Sequence, residues 1–550
     1  MHIGQLFMDT RKRFSRRTLS KAPFVGLVPA IGAGDSARAR RQDQSRRWQA
    51  ADGLRLAGST TGPASLDPAL SRDLPTNFLI RQIYRGLVSL DPDLQPELAL
   101  AATVDVSSDG LTYTLSIRES ARFHDGRVVT PEDVQFSLTR ALDPQTAGGF
   151  RDGLAGATYL RDIAGADDVL SGAAESLSGI AIVGDRSVAI SLTRHSPTFL
   201  MKLASAPASI VDAQQVRANP DWWVLPNGSG PFSVASWEPG NSLALVAADS
   251  WWEGRAQVES IAMRLGTSAS QPINLFQAGE IDLVEDVPAE IVELIVDPAS
   301  GVQYGALIET SLFATVFIAL GNAVAPLDDA HVRKALQRVF PREFVAEATY
   351  NGAVATASGI VPPGMFNRQW PNQYPPHDVA SAREELRFSR YGSAEQVPPI
   401  SIYAADIAFV ESIRDVASQS LGLRINAVQV PWLDFLNGLA ERRFPAYSLY
   451  WGADYPDPES MIEMLFGSSS PDNYTGYRND ELDELLNAAR TSDRTERILL
   501  FDLANQLLID DAALIPLYHP TGFTLLREGL GGVDVTPMGI VGLETIQGLA

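Results

Sequence analysis

Along the whole chain the spacing of apolar residues switches between two and about 3.6, and this constrains the fold more than any other feature. Residues 111–118 alternate apolar and polar positions, as a strand with one buried face does. Thr130-Pro131-Glu132-Asp133 opens a helix: Thr at the N-cap, Pro in the first turn, two acids near the positive end. Val134, Phe136, Leu138 and Ala141 follow as its apolar residues. Phe232–Trp237 and Ser242–Val246 flank Glu238-Pro239-Gly240-Asn241 and read as paired strands about a turn. Asp328-Asp329 caps a helix carrying Val332, Ala335, Leu336 and Val339, and residues 480–510 are strongly helical, with Leu482, Leu486, Leu499, Leu503 and Leu508 among the apolar positions. Strands and helices interleaved in this way predict an α/β class.

At 550 residues the chain has length for two to four structural units. Its first 39 residues differ from the rest, holding Ser15-Arg16-Arg17-Thr18-Leu19-Ser20-Lys21, a broken apolar stretch from Ala22 to Gly34, and then Ala37-Arg38-Ala39. A basic segment, a short apolar segment and a small-x-small cleavage site read as an export signal, and the paired arginines point to the twin-arginine route. This predicts a leader at 1–39 and a mature protein in the periplasm. The longest later apolar run, Leu312 to Leu320, is too short to span a bilayer.

The remaining composition excludes several classes of function. A formal charge of −22 disfavours nucleic acid and anionic lipid as partners. With no Cys there is no thiolate nucleophile, disulfide or iron–sulfur cluster. His124, His195, His331, His377 and His519 are scattered without metal-ligand spacing, so neither metal nor cofactor is expected. No G-x-S-x-G, H-E-x-x-H or phosphate-binding glycine loop occurs. His124-Asp125, in Phe123-His124-Asp125-Gly126, could form a base and its orienting acid, but reads better as a structural turn.

The most informative segment is Trp451-Gly452-Ala453-Asp454-Tyr455-Pro456-Asp457-Pro458. The residues from Phe444 to Trp451 look like a strand running out into a glycine turn, and ligands of α/β lobes sit beyond such strand ends. An aromatic ring beside a carboxylate suits a ligand with a cationic amine and an apolar body. The other reading of these residues, that Asp454 caps the next helix and Trp451 is core, stays open. Tyr455 is a further candidate, as is Trp370 with Arg368 and Tyr374 in the Pro-rich stretch Pro362 to Pro376. Trp222-Trp223 and Trp251-Trp252 could stack on sugar.

Ordered segments of the chain resemble the family 5 extracellular solute-binding proteins, the peptide- and nickel-type receptors of ABC importers. They include Ile83-Tyr84-Arg85-Gly86-Leu87, Ser108-Asp109-Gly110-Leu111-Thr112-Tyr113, Arg122-Phe123-His124-Asp125-Gly126, Gly228-Ser229-Gly230-Pro231-Phe232, Gly279-Glu280-Ile281-Asp282-Leu283, Pro326-Leu327-Asp328-Asp329 and Trp451–Pro458. The resemblance implies a two-lobe clamshell of the class II type with an extra inserted domain. Lobe I would take 50–90, 215–305 and 520–550, the inserted domain 91–214 and lobe II 306–519, with crossings near 305 and 520. It also implies a monomeric binding protein without catalysis that serves ABC permease subunits. In peptide-binding members the residue at the position of Asp454 holds the ligand's α-ammonium, and the position of Trp451 contributes to the pocket wall. For Trp251-Trp252 the resemblance implies a sheet anchor. Some oligopeptide receptors pair a ligand carboxylate with an arginine six residues before that aspartate; Ser448 stands there, which leaves the carboxylate contact open. Rival expectations are another cargo on the same fold (oligosaccharide, opine, nickel chelate or haem), a sensor in place of a permease, or an extracytoplasmic hydrolase.

Overall fold

The computed structural model describes residues 53–58, 62–148, 154–267, 271–297, 299, 301–350, 352–370 and 374–548. The expected leader at 1–39 lies outside the described residues. Two large sheets organise the chain. The first has seven strands in the spatial order Ala306–Ser311, Thr521–Leu526, Leu283–Val284, Leu54–Ala57, Ser260–Arg264, Ser242–Ala247 and Phe232–Glu238. Its centre is parallel: Leu54–Ala57 runs alongside Ser260–Arg264 and Leu283–Val284, so the three strands end at one edge. The hairpin expected about Glu238–Asn241 is present, with Phe232 opposite Ala247 and Glu238 opposite Ser242.

The second sheet has six strands, in the order Ala355–Thr356, Leu514–His519, Ala314–Leu320, Ala446–Gly452, Ile400–Ala404 and Ile425–Gln429. Every residue of Ala314–Leu320 is buried, because the strand is covered on both faces. Phe317 and Ala319 feed one apolar cluster, with Leu449, Phe466 and Phe501. Val316, Ile318 and Leu320 feed another, with Val332, Leu336 and Ile413.

The chain passes between the sheets at Leu312–Phe313 and again at Pro520, where the Leu312 N–H donates to the Pro520 carbonyl at 3.1 Å. The first passage is later than the expected 305. Ala306–Ser311 pairs along its whole length with Thr521–Leu526 and so belongs to the first sheet. A third, antiparallel sheet of Ala101–Val106, Thr112–Ile117, Ser187–Ser191 and Ile180–Ile182 has its own core with the helix Pro131–Arg140. That helix starts as expected, with a capping box between Thr130 and Asp133. The 480–510 segment is two helices, Asp480–Thr491 and Arg494–Asp510, because the Asp493 carboxylate accepts the Thr495 and Glu496 N–H groups and starts a new helix. Leu499 and Leu503, expected on the apolar face, are exposed.

Candidate functional site

The three parallel strands of the first sheet end at Ala57, Arg264 and Val284, and the residues just beyond them open on a cavity of about 610 Å³. Gly58, Leu265 and Glu285 supply its wall from that side. The opposite wall comes from the carboxyl end of Ala446–Gly452, with Tyr450, Gly452 and Ala453. Both chain passages line it, through Leu312, Phe313, Pro520 and Thr521, so the cavity lies at the hinge between the two sheets. The helix Leu74–Ile83 closes one side with Leu74 and Phe78, four residues apart on one helix face. The lining is predominantly apolar, and its charged side chains are Glu285 and Asp286.

Asp454 stands one residue beyond the lining residue Ala453, whose N–H donates to the Phe313 carbonyl at 2.7 Å. The Tyr159 hydroxyl, from the helix Gly156–Leu160, donates to Asp454 Oδ1 at 2.5 Å. Oδ2 is shut off from solvent and has no hydrogen-bond partner among the described residues. Burial pushes the Asp454 carboxyl up to about 7; the Tyr159 hydrogen bond works against that rise and nearby Asp472 adds to it. The cap role left open for Asp454 falls to Asp457, whose Oδ1 accepts the Glu459 N–H at the start of Glu459–Phe466. Trp451 is half-buried, and its Nε1–H donates to the Ser460 carbonyl at 3.2 Å. One face of the helix from Leu74 continues past Phe78 to Arg81, whose guanidinium makes no hydrogen bond or ion pair among the described residues; burial lowers it to about 10.

The other sequence candidates lie elsewhere. Tyr455 is fully buried away from the cavity, with its hydroxyl donating to Glu459 Oε1 at 3.0 Å. Trp370 is core, packed with Met365 and Phe501 and covered by the Arg368 guanidinium, which pairs with Asp502. Tyr374 donates to the Gln337 carbonyl under Arg342. None of the three lines the cavity, and neither do Trp451, Asp454 or the two tryptophan pairs; Trp451 packs against two apolar cores, and Trp222 and Trp252 pack under Arg140 and Arg118. His124 is a staple. Its N–H donates to the Gly228 carbonyl and its ring Nε2 sits 3.0 Å from the Gly230 carbonyl, while the Asp125 carboxylate accepts from the Arg127 N–H.

The sequence reading missed Glu285, Asp286, Phe78 and Phe313. A signal did exist for the acids, since they follow Gly279–Leu283 after Val284 alone, just past the end of a strand that joins a parallel sheet. That a two-residue strand ends there depends on pairing with residues far away in sequence.

The family model for bacterial extracellular solute-binding proteins, family 5 (middle), matches residues 94–473. The chain belongs to this family. Among curated relatives, the oligopeptide-binding protein OppA of Bacillus subtilis is 26% identical over 510 residues, 88% of this chain and 90% of that one. Heme-binding protein A of Haemophilus influenzae is 27% identical over 550 residues, 95% and 97%. Among solved structures, the murein tripeptide binding protein MppA of Escherichia coli superposes with a TM-score of 0.77 at 21% identity, covering 90% of this chain and 98% of that one. The fold of this family 5 protein is therefore the two-lobe α/β clamshell of periplasmic binding proteins, and the cavity lies between its lobes.

Proposed function

We propose that this protein is the extracytoplasmic receptor of an ABC importer, holding a peptide or another amine-bearing solute between its lobes and presenting it to the permease subunits. The observation that carries this reading is the Asp454 carboxylate. One oxygen is held by Tyr159, and the other is buried with no partner among the described residues, on the residue that follows the cavity-lining Ala453. A buried carboxylate oxygen without a donor is costly, and a ligand ammonium would supply charge and N–H together. The relatives are named for oligopeptides in one case and heme in another, so family membership leaves the cargo to the site. Lobe I would take the first sheet, lobe II the second, and the inserted domain the antiparallel sheet. The monomer would act by population shift, with ligand binding the closed clamshell better than the open one and no covalent step.

Calorimetry with free and N-acetylated tripeptides on wild type and Asp454→Ala tests the anchor. Loss of the pair costs roughly 3–5 kcal/mol, two decades or more in Kd. Acetylation and mutation should each cost this much and together little more, because both delete one interaction. Full affinity in Asp454→Ala would sink the reading. Export by the twin-arginine route is tested separately: Arg16→Lys with Arg17→Lys should leave the precursor in the cytoplasm, since lysine does not reproduce the guanidinium pair.

A further inference from the structure

The cavity between the lobes has a charge pattern that one amine anchor does not use. Glu285 and Asp286 both line it, and no Lys, Arg or His lines it among the described residues. Glu285 makes no hydrogen bond or ion pair there; its Oε1 is closed off from solvent and unpartnered. Burial pushes its carboxyl up to about 7, with the neighbouring Asp286 adding to the rise. Two adjacent carboxylates therefore face an apolar space of about 610 Å³ with no basic side chain among its described lining residues.

We propose that the Glu285–Asp286 end of the cavity is a second cation subsite, taking the ammonium or guanidinium of a basic side chain on the cargo. The proposal rests on the reading of Asp454 as the anchor for the cargo's terminal amine, and it narrows the cargo to amine-terminated molecules carrying a second positive charge. The spacing fits. Asp286 and Tyr450 line the same cavity, and Tyr450 lies four residues before Asp454, at most roughly 13 Å along the strand direction; the gap from Asp286 to Tyr450 adds to this. A peptide advances roughly 3.5 Å per residue, so a long side chain two or three residues along has reach of this order. The apolar lining from Phe78, Met263 and Phe523 would cover the methylene stem of such a side chain. A carboxylate brought to this end would meet two like charges and no cation.

The test compares Ala-Lys-Ala with Ala-norleucine-Ala by calorimetry on wild type and on Glu285→Gln/Asp286→Asn. Wild type should bind the lysine peptide at least tenfold more tightly. The double variant should bring the two within about twofold while leaving the norleucine peptide within twofold of its wild-type affinity. Asp286 is exposed, so Asp286→Asn alone carries the test if the double variant fails to fold. N-acetyl-Ala-Lys-Ala separates the two readings. A lysine preference that survives acetylation and vanishes in the variant keeps the subsite and removes the amine anchor; a missing lysine preference beside a strong acetylation effect does the reverse. If no tripeptide binds, spermidine is the probe. Binding that Glu285→Gln/Asp286→Asn abolishes supports the subsite, and no binding overturns it, as does a lysine preference undiminished in the variant.

Discussion

Lys202 is the residue whose loss should cost this fold most clearly. It comes from the helix Phe199–Leu203, and its Nζ lies 2.9 Å from Asp162 Oδ2 and 2.9 Å from Glu459 Oε1, with all three side chains about 95% buried. Burial opposes its charge, but Glu459 and Asp162 outweigh that and hold the ammonium above its ordinary value of 10.5. Glu459 is opposed by burial as well, yet Lys202 and Arg497 hold it below its ordinary 4.5. The Lys202 contribution is thus fully present below pH 10.5 and lost as pH rises through the higher folded value; that of Glu459 is present above pH 4.5 and lost as pH falls through the lower one. Near neutrality both are complete. Lys202→Met keeps the volume and strips the cation from two buried carboxylates. Removing one partner of a buried pair costs about 3–5 kcal/mol. Asp162 keeps Arg194 at 2.6 Å and Glu459 keeps Arg497 at 3.0 Å, so the expected loss is near the lower end, about 3 kcal/mol. Urea unfolding at pH 7.5 measures it. Adding Glu459→Gln should recover more than about 1 kcal/mol, since one stranded charge disappears. A loss under about 1 kcal/mol for Lys202→Met, or simple additivity in the double variant, would refute the claim that this network is desolvated and coupled.

Trialanine affinity should be bell-shaped in pH: below about 7 the Asp454 carboxyl takes up a proton and Kd should rise toward tenfold per unit, while above about 8 the peptide amine loses its own. Calorimetry across pH 5.5–9 on Asp454→Asn should lack the acid limb, and its persistence would assign it elsewhere. His124→Ala should leave peptide affinity within twofold while lowering stability by about 1 kcal/mol, because the ring only braces the Gly230 carbonyl. Gly228→Ala should cost roughly 1–3 kcal/mol in urea unfolding, because the new Cβ would stand 2.1 Å from the Ile83 carbonyl oxygen, which is backbone and cannot swing away.

Local rules made much of this protein readable without coordinates. Thr130-Pro131-Glu132-Asp133 caps its helix as its chemistry requires, the Thr112–Ile117 alternation is one buried strand face, and Glu238–Asn241 turns a hairpin. Gly228-Ser229-Gly230, carried in the resemblance as a motif, is explained by backbone passing against Ile83 and Gln82 too closely for a side chain. In each case the determining groups lie within a few residues of each other, or the pattern itself records the contact. The division of aromatic residues between cavity and core was not readable in this way: Trp451, Tyr455 and Trp370 all read as candidates in sequence, yet all three pack against core and Phe313 and Tyr450 line the cavity. Burial depends on what the second sheet meets across the hinge, which no local window contains. The same holds for the acids. Asp457, Glu459, Asp454 and Glu285 are one residue class on paper, and only the folded chain brings Arg497 and Lys202 to the first two and leaves an oxygen of each of the others without a partner among the described residues. Capping and alternation are short-range and can be read in order along the chain. Desolvation and charge pairing are set by residues tens to hundreds of positions apart, and so the tertiary structure alone decided which carboxylates were satisfied and which face the cavity.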